Sequence, residues 1–247
     1  MIHATDSKGT FYILNKKDRT PIIFIHGVGL DHSIWDPQIN EFDNTVLIYD
    51  ILGHGKTPLN KNDLGFDDFS DQILNLMDEL KFNKVHLVGF SIGSLIARNF
   101  ASRFNDRLAS LTLLCSIFNR SDKEQKIVND RFEKTNKYNK LTKDALKRWF
   151  TEDFLNKNPG ISDKIFNILQ NNNMNNFIKI YSLFVKHQDN EKFENIKTKT
   201  LVITGEGDVG STPEMSINLG KKIKNSVVKI IPKGKHLCSI ECSDDVN

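Results

Sequence analysis

The stretch Val85-His86-Leu87-Val88-Gly89-Phe90-Ser91-Ile92-Gly93-Ser94-Leu95-Ile96-Ala97 constrains this chain more than any other. An apolar, β-branched run over residues 84–88 leads directly into Gly-x-Ser-x-Gly, and apolar residues continue at helical spacing from Leu95 to Phe100. Strand, turn and helix in that order set a serine on a sharp corner that admits only small residues two places before and after it, here Gly89 and Gly93. A helix starting at such a serine turns its unpaired N–H groups and the positive end of its dipole towards it. The pattern alone is a weak signal, because a structural turn also satisfies it. Its setting makes Ser91 a candidate nucleophile.

The rest of the chain repeats the alternation. Residues 10–14 read as a strand following a turn at Asp6-Ser7-Lys8-Gly9, which gives an antiparallel hairpin covering one sheet edge. Continuous apolar runs at 21–25, 45–50, 108–115, 200–204 and 227–231 have the composition of strands buried on both faces. Helical spacing is expected over 31–42 (Ile34, Trp35, Ile39), 66–80 and 213–223. A mostly parallel sheet covered on both faces by helices follows, an α/β fold. Between residues 119 and 195 the chain becomes rich in Lys and Asn, has no buried strand, and repeats Trp149, Phe150, Phe154, Ile165, Leu169, Phe177 and Tyr181 at helical intervals. Residues 119–195 are therefore read as a helical cap inserted after the sixth strand, with residues 1–118 and 196–247 forming the core. The polar cluster at 171–176 is read as a connection between helices.

Composition excludes several classes. The 34 basic residues against 31 acidic ones, a net charge of +3, are too nearly balanced for a nucleic-acid surface. No run approaches the ~18 to 20 apolar residues of a membrane span, and residues 1–6 lack the charged-then-apolar form of a signal peptide, so a cytoplasmic location is expected. The three cysteines, Cys115, Cys238 and Cys242, show no Cys-x-x-Cys spacing and suggest neither a disulfide framework nor a structural zinc site.

Three loops, each directly after an expected parallel strand, present Ser91, Asp208 and His236, where open α/β sheets place ligands. Each has a plainer reading: Asp208 as a cap for the helix beginning near Ser211, and His236 as one loop histidine of seven. Glu206 competes with Asp208 from two residues nearer the strand. Asp50 and His54 read as structural residues of the loop 51–58. Chain order Ser, acid, His nevertheless matches one known triad arrangement.

Taken together, His26-Gly27-Val28-Gly29-Leu30-Asp31-His32-Ser33-Ile34-Trp35, Asp50-Ile51-Leu52-Gly53-His54-Gly55-Lys56-Thr57, the Ser91 turn, Gly205-Glu206-Gly207-Asp208 and Gly234-Lys235-His236-Leu237 resemble the α/β-hydrolase superfamily over nearly the whole chain. Within it the chain is similar to small esterases and lactonases of the 3-oxoadipate enol-lactonase type. The resemblance implies Ser91 as nucleophile, His236 as base, Asp208 as the orienting acid, and the backbone N–H groups of Val28 and Ile92 as an oxyanion hole. No metal or organic cofactor is needed by that chemistry. The implied substrate is a small carboxylic ester or lactone, with Phe90, Cys115, Trp149 and Phe150 as candidate pocket walls and the oligomeric state open. Carbon–carbon bond hydrolases and acyltransferases share the triad, and a ligand receptor on a hydrolase scaffold would keep it. Serine at position 91 counts against the dehalogenases and epoxide hydrolases, which use aspartate there. The resemblance also implies a full helix after His236, whereas this sequence stops at Asp245-Val246-Asn247.

Overall fold

The computed structural model describes residues 1–247. Eight strands form one sheet: β1 (Ile2–Thr5), β2 (Phe11–Asn15), β3 (Arg19–Ile25), β4 (Asn44–Tyr49), β5 (Val85–Phe90), β6 (Leu108–Leu114), β7 (Thr200–Gly205) and β8 (Ser226–Ile231). Their spatial order is β1-β2-β4-β3-β5-β6-β7-β8. The β1–β2 hairpin adds antiparallel to β4, and every later neighbour pair is parallel. The continuous apolar runs follow from this arrangement: Val46, Leu47, Ile48 and Tyr49 are all fully buried because helices cover both faces.

Helices α1 (Phe66–Glu79), α2 (Ile92–Phe104) and α8 (Pro213–Lys222) connect strands of the sheet. Phe69, Ile73, Leu76 and Met77 of α1 and Ile96, Ala97 and Phe100 of α2 enter the same core as Ile23, Ile25, Leu47 and Leu87. Between β6 and β7 lie α3 (Asp122–Tyr138), α4 (Asp144–Trp149), α5 (Glu152–Lys157), α6 (Pro159–Gln170) and α7 (Met174–Val185). Ser121 and Glu124 close a reciprocal capping box at α3, and Asn173, from the polar cluster 171–176, caps α7. After the last strand come two short helices, α9 (Cys238–Glu241) and α10 (Ser243–Val246), in place of the single full helix the resemblance implies.

One expected helix is absent. Over 31–42 only His32–Trp35 is helical, as a single 3-10 turn, followed by turns. Pro37 has no N–H to offer the Ser33 carbonyl, which accepts from Asp36 N at 3.3 Å instead, so the α-helical ladder cannot propagate. Ile34, Trp35 and Ile39 are buried all the same. Their spacing reports a buried face and not a helix.

Candidate active site

Ser91 leaves β5 with φ 56° and ψ −119°, a backbone conformation that costs a non-glycine residue about 1–3 kcal/mol. The corner is tight on both sides. A Cβ on Gly89 would lie 2.2 Å from the Gly93 carbonyl oxygen, and one on Gly93 would lie 2.5 Å from the Ile25 carbonyl oxygen. Ser91 N donates to Leu114 O at 3.0 Å, and both the amide and the hydroxyl of Ser94 donate to Ser91 O, at 2.9 and 2.6 Å. Only the Ser91 hydroxyl remains to face outward.

The loops after β7 and β8 bring the acid and the imidazole to it. His236 Nε2 lies 3.2 Å from Ser91 Oγ, and its Nδ1 lies 2.7 Å from Asp208 Oδ2. The other carboxylate oxygen of Asp208 accepts from Gly210 N at 2.8 Å and Ser211 N at 3.0 Å. These two loops are pressed together: a Cβ on Gly205 would lie 2.4 Å from both the Gly234 and Lys235 carbonyl oxygens. Glu206 points elsewhere, towards the Lys233 amide at 3.1 Å. Geometry thus separates the two candidate acids.

Burial raises the pKa of Asp208, but the His236 charge and hydrogen bond, with the Ser211 and Gly210 amides, outweigh it and hold the carboxyl below its usual range. In His236 burial favours the neutral ring, and the Asp208 carboxylate overcomes it and pulls the pKa upward.

The loop after β3 is held by the residues that follow β4. His26 Nε2 accepts from Ile51 N at 3.0 Å, His54 Nε2 accepts from Gly29 N at 2.8 Å, and Asp50 Oδ1 accepts from His32 N at 2.9 Å. Burial pushes His54 down to about 3, so it stays neutral and can act as that acceptor. Asp50 and His54 are scaffold for this loop, and Val28 N–H is not among the amides that donate within the protein. Ile92 is the first residue of α2, where an amide has no acceptor within its own helix. Two donors are thereby available beside Ser91.

A family model described as the alpha/beta hydrolase fold matches residues 20–241. The chain belongs to the alpha/beta hydrolase family. This alpha/beta hydrolase is similar to (E)-2-((N-methylformamido)methylene)succinate hydrolase of Acinetobacter baylyi, 26% identical with 96% of this chain and 91% of the relative covered. It is similar also to 3-oxoadipate enol-lactonase 1 of the same organism, 25% identical over 98% of this chain and 91% of that one. Among solved structures, the enol-lactonase from Burkholderia xenovorans superposes with a TM-score of 0.84 at 24% identity, covering 99% of this chain and 96% of the other. That likeness concerns the fold.

In this alpha/beta hydrolase the Ser91 hydroxyl opens onto a cavity of about 450 Å³. Its floor consists of Gly27, Val28, Leu30, Phe90, Asp208 and His236, and its roof consists of residues from α3, α4, α6 and α7, including Val128, Trp149, Leu169, Phe177 and Tyr181. Phe90 and Trp149 line this cavity, their rings 4.9 and 6.4 Å from the His236 ring. Two expected wall residues do not line the cavity. Phe150 is fully buried and stacks on Phe154 at 5.0 Å, because it ends α4 on the side facing the core. Cys115 is fully buried too, and its thiol donates to the His236 carbonyl at 3.1 Å, so it supports the histidine loop from beneath. Burial pushes that thiol's pKa well up, so it stays protonated. Cys115, Asp208 and His236 hold ligand-type atoms within 4.8 Å of one another, but these atoms are already committed to the hydrogen bonds above.

Roof residues Arg120, Arg131, Arg148 and Tyr181 were not foreseen from the sequence. In a segment rich in Lys and Asn, no local pattern separates an inward arginine from a solvated one. No helix of the chain is long and apolar enough to cross a membrane.

Proposed function

We propose that this protein hydrolyses a small carboxylic ester or lactone through an acyl-enzyme on Ser91. The observation that carries the reading is the unbroken line Ser91 Oγ, His236 Nε2, His236 Nδ1, Asp208 Oδ2, with steps of 3.2 and 2.7 Å across the ring. A serine hydroxyl is a weak nucleophile unless its proton is removed as it attacks. In this scheme Ser91 Oγ adds to the carbonyl carbon while His236 Nε2 takes the hydroxyl proton, and Asp208 holds the ring in the tautomer that makes Nε2 the acceptor. The negative charge gathering on the carbonyl oxygen is met by the amides of Val28 and Ile92. Loss of one such donor typically costs about 3–4 kcal/mol of barrier. The carbon–oxygen bond to the leaving alkoxide then breaks as His236 returns the proton to it. Water next adds to the acyl carbon, giving its proton to His236, and the acid departs as Ser91 recovers its hydrogen. In a lactone the alcohol stays tethered to the acyl group throughout.

The names of the two Acinetobacter baylyi relatives, a succinate-derivative hydrolase and an enol-lactonase, support hydrolysis of a small acid derivative in a protein of this length. The half-enclosed, partly apolar cavity of about 450 Å³ suits a small or medium acyl group better than a long chain. The test is Ser91→Ala together with a fluorophosphonate probe. Ser91→Ala is expected to fold normally, to lose turnover of p-nitrophenyl esters and five-membered lactones, and to lose labelling that maps to Ser91 in the parent. Labelling of another residue, or turnover retained in the folded variant, would refute the assignment.

A further inference from the structure

The roof of the cavity carries cations without partners. Arg19, Arg98, Arg103 and Arg107 each reach a carboxylate. Arg120, Arg131 and Arg148, which line the cavity, reach none. Their hydrogen bonds go to neutral acceptors: Arg120 Nη1 to Phe184 O and Val185 O at 3.1 and 3.2 Å and to Gln125 Oε1 at 3.5 Å, Arg148 Nη1 to Asp144 O at 3.0 Å, and Arg131 Nε to Ile127 O at 3.4 Å. Arg148 Nε is buried with no partner at all. The carboxylates that share the wall are occupied elsewhere. Glu124 accepts from the Ser121 amide and hydroxyl at 2.8 and 2.7 Å, Asp144 accepts from the Thr142 hydroxyl at 3.1 Å, and Asp208 is taken by His236.

Arg120, Arg131, Arg148 and Tyr181 line the same cavity. Burial raises the pKa of the Tyr181 hydroxyl, and Arg131, Arg148 and Arg120 each oppose that rise. Burial holds Arg120 down to about 10 and lowers Arg148 as well, with the charge of Arg131 acting the same way on both. Arg120 and Arg148 are thus disfavoured both by burial and by the neighbouring charge of Arg131. Mutually repelling, partly desolvated arginines are stabilised by an anion able to accept from more than one of them, and a planar carboxylate has the matching geometry.

We infer that the cavity selects substrates carrying a free carboxylate, held by Arg120, Arg131 and Arg148 under the roof while the ester or lactone carbonyl lies at Ser91. The inference rests on the hydrolase reading of Ser91 for its second half only. Carboxylate capture by the roof needs no nucleophile.

Two measurements test it together. The first compares kcat/KM for the mono-p-nitrophenyl ester of glutaric acid with that for p-nitrophenyl pentanoate, which matches it in length without the charge. The parent is expected to favour the charged ester at least ten-fold, and Arg131→Gln and Arg148→Gln are each expected to reduce that ratio ten-fold or more. Lys126→Gln removes a positive charge from the exposed side of α3, outside the cavity, and is expected to leave the ratio unchanged. The second measures binding of glutarate and of its dimethyl ester to Ser91→Ala by calorimetry. Glutarate alone should bind, and the added Arg131→Gln change should abolish binding. A ratio near one in an active parent, an equal fall in Lys126→Gln, or no glutarate binding would overturn the inference and leave the hydrolase reading standing. Glutarate binding without hydrolysis of either ester would overturn the hydrolase reading and leave the carboxylate site standing.

Discussion

The bond between His236 and Asp208 decides the pH behaviour of the site. In the proposed scheme His236 must be neutral to take the Ser91 proton, so activity should fall on acidification through its pKa. The Asp208 carboxylate lifts that pKa above the ordinary 6.5 against the effect of burial, which puts the acid limb of kcat/KM above pH 6.5 in the parent. Asp208→Asn removes the charge and leaves burial acting alone, so the limb should move to lower pH while the plateau drops roughly 10⁴-fold, the scale expected when the tautomer is no longer fixed. Glu206→Gln, whose parent side chain meets only the Lys233 amide, should shift neither. A pH–rate series on the three proteins checks this, and an acid limb that does not move in Asp208→Asn would count against the assignment. At this scale the sequence was informative wherever residues lie at strand ends, because spacing and glycine pattern place a loop residue above the sheet. It was uninformative for Cys115 and Phe150. Whether a residue at the end of a strand or helix faces the cavity or the core depends on a rotation of less than one residue, and apolar character suits both outcomes.

Among the elements, α2 does more than present Ser91. Seven residues after Ser91, Arg98 is fully buried and donates to Asp189 at 2.6 Å, Glu191 at 2.7 Å and the Ile117 carbonyl at 2.8 Å. Asp189 in turn accepts from the Asn119 amide at 2.6 Å, so both ends of the helical segment between β6 and β7 meet on one guanidinium. Burial would raise the pKa of Asp189 and Glu191, but His187 and Arg98 hold both below the usual carboxylate range. Arg98→Met strands these carboxylates in a poorly solvated setting, a change that costs about 3–5 kcal/mol. For a chain of this length that corresponds to a Tm lower by roughly 6–20 °C, measurable by calorimetry. A shift of a degree or less would mean that the acids simply swing into solvent. Nothing local announces this cluster, since its partners stand 91 and 93 residues away from Arg98. The expected helix at 31–42 failed for the opposite reason: its local signal was strong, and one proline denied it the backbone bonds.

On the scale of the whole molecule, the site has two suppliers. The sheet ends contribute Ser91, Asp208, His236 and the two free amides, and this part was legible because buried parallel strands leave an unmistakable apolar trace. The helices between β6 and β7 contribute the arginine-bearing roof, and their fine structure was not legible, since five helices on a polar background obey only packing against one another. Arg98 joins the two. At ~1.5 Å per residue it sits about 9 Å along α2 from the residue after Ser91, so the same rigid rod carries the serine at its tip and the anchor of the roof on its flank. Residues 186–195, which contain no regular structure beyond the 3-10 turn Phe193–Asn195, ought therefore to behave unlike a surface loop towards deuterated solvent. Their amides should gain deuterium only as slowly as the body of α2 opens, forming one cooperative unit with it, and should exchange early once Arg98 is replaced. Rapid uptake there in the parent would mean that the roof breathes independently of Ser91; slow uptake would make the depth of the pocket a property of the core helix beneath it.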